Sequence, residues 1–247
     1  MGHRTFWALA ILTAVATACG ESTPASPGAS APVRVLMVTA TSGFRHASIP
    51  VARDVMTQLA GSTGAFTVAT TDNPADVTAA RLAAIDVLMF ALTTGELPFD
   101  ASQRSAILSF VNSGGGFIGV HSATDTLYEW PEYGQLIGAY FNDHPWTEQA
   151  AVIVEDATHP STNTLGSRFL ITEEFYRFRT NPRLAAHVLL SLDASSVGAA
   201  GDFPLAWSRE VSNGRVYYNA LGHFDETWRD PRFQAQMRGA IMWVARR

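Results

Sequence analysis

Between residues 33 and 120 the chain carries four short apolar runs that alternate with segments of helical spacing, and this rhythm restricts its fold more than any other feature. The runs are 33–40 (VRVLMVTA), 66–70 (FTVAT), 86–92 (DVLMFAL) and 117–120 (FIGV). Continuous runs of this length suit strands buried on both faces, as in a parallel sheet. Between them, Ser48 opens a helix with Pro50 in its first turn and Val51, Val55, Met56 and Leu59 on one face. A short helix is expected near 77–84. Asp100 caps a third helix that runs to Asn112 with Ile107, Leu108 and Val111 as its stripe, and Gly114, Gly115 and Gly116 end it. Such a βαβαβαβ series predicts an α/β domain with a mostly parallel central sheet and helices on both faces.

The second half is less regular. Strands are expected at 151–154, 169–172, 188–192, 204–208 and 215–221, extending the same sheet. A last helix at 231–245 carries Phe233, Met237, Ile241 and Val244 on one face. No repeat and no second linker interrupt the chain, so residues 33–247 read as one domain.

The residues before it read as an address. His3 and Arg4 precede a 13-residue apolar run, 6–18, which is shorter than the roughly 20 residues a membrane span needs. Residues 1–18 are therefore expected to be a signal peptide. Ala16, Thr17, Ala18 and Cys19 resemble a bacterial lipobox, with Ala16 where Leu is usual. Cys19 is then the lipid-bearing residue that ties the protein to the membrane of the cell envelope; ordinary cleavage after Ala18 is the other reading. Residues 19–32, rich in Ser, Pro, Ala and Gly, form a flexible linker.

Composition removes several chemistries. All 17 basic residues are Arg, which excludes Schiff-base lysine chemistry and the phosphate-binding lysine loop. A formal charge of −5 leaves no basic footprint for nucleic acid. Cys19 is the sole cysteine, so residues 33–247 hold no disulfide, thiolate zinc ligand or cysteine nucleophile.

In an open parallel sheet, ligands bind at the carboxyl ends of strands. His46 follows the first strand. His121, Ser122, Thr124 and Asp125 follow the fourth, and His223 follows the run RVYYNAL through Gly222. Three histidines are thus expected at one rim. His144 is read in a loop after a helix, and Glu173 and Glu174 after the strand FLIT, followed by Tyr176. His159 and His187 are read as structural. Trp130, Trp146 and Trp228 fall in expected loops, where an indole either packs beneath the loop or stacks on a sugar ring. Histidines with a carboxylate suit a divalent metal such as zinc or manganese; the same residues serve metal-free acid–base work.

These segments together resemble the ThuA-like domain family, named for trehalose utilisation. The resemblance rests on FRHASI at 44–49, GGFIGVHSATDT at 115–126, WPEY at 130–133, GAYF at 138–141, His144-Pro145, EEFY at 173–176, GRVYYNALGH at 214–223, Trp228 and Asp230-Pro231. It implies a flavodoxin-like, class I glutamine amidotransferase-like three-layer sandwich. In amidotransferases of that fold a cysteine sits in a G-x-C-x-G elbow; here His121 holds the corresponding place, so glutamine hydrolysis is not expected. The resemblance further implies a part in sugar catabolism, with 3-keto-glycosides as substrates. On that basis His121 and Glu174 are expected to be the acid–base pair. His46, His144 and His223 are expected to orient the sugar, hold a metal or stabilise an oxyanion. Arg45, Thr124, Asp125, Trp130, Tyr176 and Trp228 would shape the pocket. The alternative is a non-catalytic carbohydrate-binding lipoprotein of the envelope.

Overall fold

The computed structural model describes residues 1–3 and 31–247. Residues 4–18 of the expected signal peptide, Cys19 and nearly all of the linker fall on 4–30, outside the described residues. Among the described residues no helix is long and apolar enough to cross a membrane. Pro32–Arg247 forms one compact unit.

The first half follows the expected alternation. Strand β1 (Val33–Val38), helix α1 (Ile49–Thr63), β2 (Phe66–Thr71), the short α2 (Ala79–Leu82), β3 (Val87–Ala91), α3 (Ala101–Asn112) and β4 (Gly116–Val120) succeed one another. Every residue of β3 and β4 is buried, as strands covered on both faces require. Asp100 caps α3 in a reciprocal pair: its side chain accepts from the Gln103 N–H, and the Gln103 side chain accepts from the Asp100 N–H. The strand order β2-β1-β3-β4 means that the α1 crossover steps one way along the sheet and the α3 crossover steps the other. Right-handed crossovers then set α1 and α3 on opposite faces.

The second half comprises α4 (Pro131–Ile137), β5 (Phe141–Val154), β6 (Arg168–Phe178), β7 (His187–Leu192), β8 (Pro204–Val211), β9 (Gly214–Asn219), α5 (Asp225–Arg229) and α6 (Pro231–Val244). All nine strands join one sheet in the order β2-β1-β3-β4-β9-β8-β7-β5-β6. The sheet is mixed, which corrects the expectation of a mostly parallel one. Four pairings are parallel, from β2 through β9. The other four, from β9 through β6, are antiparallel. Parallel neighbours need a crossover of a dozen or more residues, whereas antiparallel ones need only a hairpin. Only Ser212 and Asn213 separate β8 from β9, with Ser212 at φ 51°.

Strands β5 and β6 are much longer than their apolar cores suggest. Residues 151–154 and 169–172 are the parts legible as strand, yet pairing runs from Phe141↔Phe178 to Ile153↔Arg168. The extra length matters for the site. His144, expected in a loop, lies within β5 where the register shifts between Asp143 and Trp146. Pro145 has no N–H to pair and fits such a bulge. Glu173, Glu174 and Tyr176, expected after a strand, lie inside β6.

Candidate active site

Strands β1, β4 and β9 run parallel, so the residues after them meet at one end of the sheet. His46 lies beyond β1, His121 directly beyond β4, and His223 beyond β9. The β4 exit is sharp: His121 takes φ 52°, a left-handed conformation uncommon outside glycine. Its carbonyl accepts from Tyr218 Oη at 2.7 Å, and Thr124 Oγ1 lies 2.9 Å from the same Oη. The β9 exit turns at Gly222, φ 124°, before His223.

The β6 segment Glu173–Tyr176 closes the site from the side. Glu173 has no exposed surface and accepts four donors: the N–H groups of Gly222 (2.8 Å), His223 (3.1 Å) and Glu174 (3.0 Å), and Thr227 Oγ1 (2.7 Å). A buried carboxylate is stable only when paired or amply hydrogen-bonded, and these donors satisfy it. Glu173 therefore fixes the turn that presents His223.

Glu174 faces the histidines. Its Oε2 lies 3.1 Å from His223 Nδ1 and 3.4 Å from His121 Nε2, and its Oε1 lies 3.2 Å from His144 Nδ1. His223 Nδ1 and His121 Nε2 are 3.2 Å apart. His121 Nδ1 donates to Ala220 O at 2.7 Å, and Tyr176 Oη lies 2.9 Å from its Nε2. The His46 ring stands edge-on to both partners, 4.8 Å from His121 and 5.1 Å from His223 between centroids. His46, His121, Glu174 and His223 each offer a ligand atom, all within 4.8 Å of one another, so these four are the residues able to hold a metal.

The charges differ from member to member. Burial pushes the His46 imidazole down to about 3, aided by His121 and His223, so it is neutral at neutral pH. Burial works against ionisation of Glu174, but the His121 and His223 imidazoles beside it hold its carboxyl well below the usual range. Burial alone would lower His223; the Glu174 carboxylate more than offsets this and raises it. Burial raises the Asp125 carboxyl from its ordinary value, although Tyr128 Oη donates to it at 2.7 Å.

A cleft of about 230 Å³ opens onto this cluster, lined by His46, Asp125, His144, Glu174, Tyr176 and His223, with Phe44 and Phe141 as apolar walls. A larger cavity of about 490 Å³ lies at the amino ends of β3 and β4. Its only carboxylate, Asp86, is taken up by Arg34, so the smaller cleft is the one equipped for chemistry.

Of the residues expected at a site, His46, Asp125, His144, Glu174, Tyr176 and His223 share this cleft. His121 stands behind it with no exposed surface and reaches a ligand only through its neighbours or through a shared ion. The other expected pocket residues are placed elsewhere. Thr124 is fully buried beneath the elbow. Trp130 is buried and stacks on Tyr133, and Trp228 is fully buried with its indole N–H donating to Gly222 O at 2.8 Å. Neither indole offers a face to a sugar. Arg45 is half exposed and 3.8 Å from Asp72, outside the residues lining the cleft. Sequence reasoning missed the two phenylalanine walls and the support by Glu173. Phe44, two residues before His46, was a usable signal; the reach of Glu173 to the β9 turn had none.

The model of the trehalose-utilisation family, ThuA, matches residues 34–244. The chain belongs to the ThuA family. Crystal structures agree. A protein described as ThuA-like from Bacteroides uniformis is 25% identical, with a TM-score of 0.75 over 90% of this chain and 95% of that one. Another from Parabacteroides merdae is 18% identical, with a TM-score of 0.71 over 87% and 90%. A protein from Thermoplasma acidophilum described as part of a GMP synthase, 12% identical, gives 0.54 over 87% and 94%. That last likeness concerns the fold alone and places this ThuA chain among amidotransferase-like folds. Among curated proteins none matches. Within this fold His121 occupies the strand-to-helix elbow, and no residue of 33–247 supplies a thiolate.

Proposed function

We propose that this ThuA protein is an enzyme of carbohydrate breakdown that acts on oxidised, 3-keto glycosides by enolisation. One observation carries the reading: a histidine–carboxylate cluster lies at the floor of a cleft, with Glu174 between His144 and His223. His144 is half exposed; its Nδ1 lies 3.2 Å from Glu174 Oε1, and its Nε2 has no partner among the described residues. That is the arrangement of an imidazole general base oriented by a carboxylate. A ketone acidifies the neighbouring C–H. His144 Nε2 takes that proton, the C–H electron pair becomes the enolate double bond, and the negative charge moves to the ketone oxygen. His223, whose protonated form the Glu174 carboxylate favours, faces that charge. The enolate then expels a neighbouring substituent or is reprotonated.

This reading moves the proton-accepting role expected of His121 to His144 and keeps Glu174 at the centre. His46, Asp125 and Tyr176 shape the cleft for a single sugar ring. Export, with Cys19 as lipid anchor, would set the domain at the cell envelope; loss of membrane association in Cys19→Ser tests that part. The main test is NMR of the full chain mixed with 3-keto-trehalose. New product signals are expected, reduced at least about 100-fold in His144→Ala, Glu174→Ala and His121→Ala. A sugar that binds and remains chemically unchanged would favour a carbohydrate-binding role instead.

A further inference from the structure

We propose that His46, His121, Glu174 and His223 form a binding site for one divalent transition-metal ion, zinc in the first instance. The spacing is the first argument. His121 Nε2, His223 Nδ1 and Glu174 Oε2 make a triangle with edges of 3.1, 3.2 and 3.4 Å. A tetrahedral zinc ion with bonds of about 2.0–2.1 Å sets its ligand atoms roughly 3.3–3.4 Å apart. The triangle is thus already one face of such a coordination shell. A direct hydrogen bond explains the 3.2 Å edge between the two imidazoles, but one bridging proton cannot satisfy all three edges.

The surroundings of the ligands are the second argument. Metal-ligating histidines generally donate their other ring N–H to a carbonyl or carboxylate, which fixes the tautomer. His121 does so through Nδ1 to Ala220 O at 2.7 Å. Glu174 directs its second oxygen at His144, and Glu173 pins the backbone of His223. His46 supplies the third. It is 5% exposed, and its Nδ1 is a buried nitrogen without a hydrogen-bond partner among the described residues. A buried nitrogen left unpaired is unfavourable, and one nitrogen of this ring lies within 4.8 Å of the other three ligand atoms. Three imidazoles and a single carboxylate suit zinc; manganese, lower in the affinity order, binds the same set more loosely.

The inference deepens the proposed function in one respect. A bound ion held by these four residues would supply Lewis acidity at the floor of the cleft in place of a protonated His223, because a ligating imidazole is neutral. His144 remains outside the shell as the proton carrier. The site itself does not depend on the identity of the substrate.

The test is calorimetric titration of the chelator-treated full chain with zinc chloride, with cobalt(II) as a spectroscopic probe. One equivalent of zinc is expected, with a visible cobalt spectrum of tetrahedral nitrogen–oxygen coordination. His121→Ala and His223→Ala are expected to weaken binding by at least about 100-fold, and His46→Ala by at least about tenfold. His187→Ala, whose side chain is exposed and paired with Asp156, retains full binding. Circular dichroism of each metal-free variant separates loss of the site from loss of the fold. His46→Gln, which keeps a polar side chain of similar reach, is the fallback if an alanine variant unfolds. Sub-stoichiometric zinc, or equal binding by wild type and folded His121→Ala or His223→Ala, overturns the site. Zinc binding without keto-sugar turnover upholds the site and defeats only the substrate assignment. Turnover by a chain that binds no zinc does the reverse.

Discussion

Two adjacent glutamates on β6 have divided duties. Glu174 faces the cleft and the histidines, while Glu173 faces inward and receives four donors. Removing Glu173 would strand buried N–H and O–H groups, each costing about 1–3 kcal/mol. Glu173→Ala is therefore expected to destabilise the protein by roughly 3 kcal/mol or more in urea unfolding. Glu173→Gln is expected to be destabilising as well, because its NH₂ end would meet other donors. An effect within 0.5 kcal/mol in both would contradict the role assigned to Glu173. At this scale the sequence was informative where chemistry follows strand ends: His46, His121 and His223 were legible because the topology rule brings those ends together. It misled on Trp130 and Trp228. Trp228 lies in helix α5 rather than a loop, and an indole in a loop, as at Trp130, reads alike whether it lies over or under that loop; burial decides between the two.

At the scale of elements, the site depends on two tight exits from the sheet. Gly222 takes φ 124°, and a Cβ there would lie 3.3 Å from Val120 Cγ1 and 3.5 Å from Trp228. Gly222→Ala is expected to cost more than about 1 kcal/mol and to lower turnover by displacing His223. Thermal unfolding together with turnover checks this, and a variant normal in both would refute it. β1, β3 and β4 were readable because they are buried along nearly their whole length and their runs are uninterrupted, and edge strand β2 because of its β-branched run. β6 instead alternates exposed and buried residues over much of its length, and all of the first nine residues of β5 are exposed or only partly buried. Only their apolar middles therefore stood out. The mixed sheet was in principle legible. No helical period separates the later strands, and Ser212-Asn213-Gly214 between two apolar runs is a hairpin signal.

For the whole molecule, stability should fall as the solution becomes mildly acidic. His159 is buried against Trp243 and Tyr217, and burial pushes its imidazole down to about 4. The unfolded chain binds a proton there near pH 6.5, which the folded chain refuses until about pH 4. Stability from this residue is thus complete above the unfolded value and is lost as pH falls through that window. His159→Gln is expected to show a shallower decline between pH 6.5 and 4 than wild type when unfolding is followed by denaturant; an identical slope would contradict the assignment.

Enolisation of a keto sugar by the cluster at the carboxyl ends of β1, β4 and β9 is tested most directly by isotope exchange. The full chain and 3-keto-trehalose are combined in D₂O, and the proton signals beside the ketone are followed by NMR against a protein-free control. Protein-dependent loss of those signals is expected, abolished in His144→Ala and Glu174→Ala. Exchange no faster than in the control, with the sugar demonstrably bound, would contradict the enolising role.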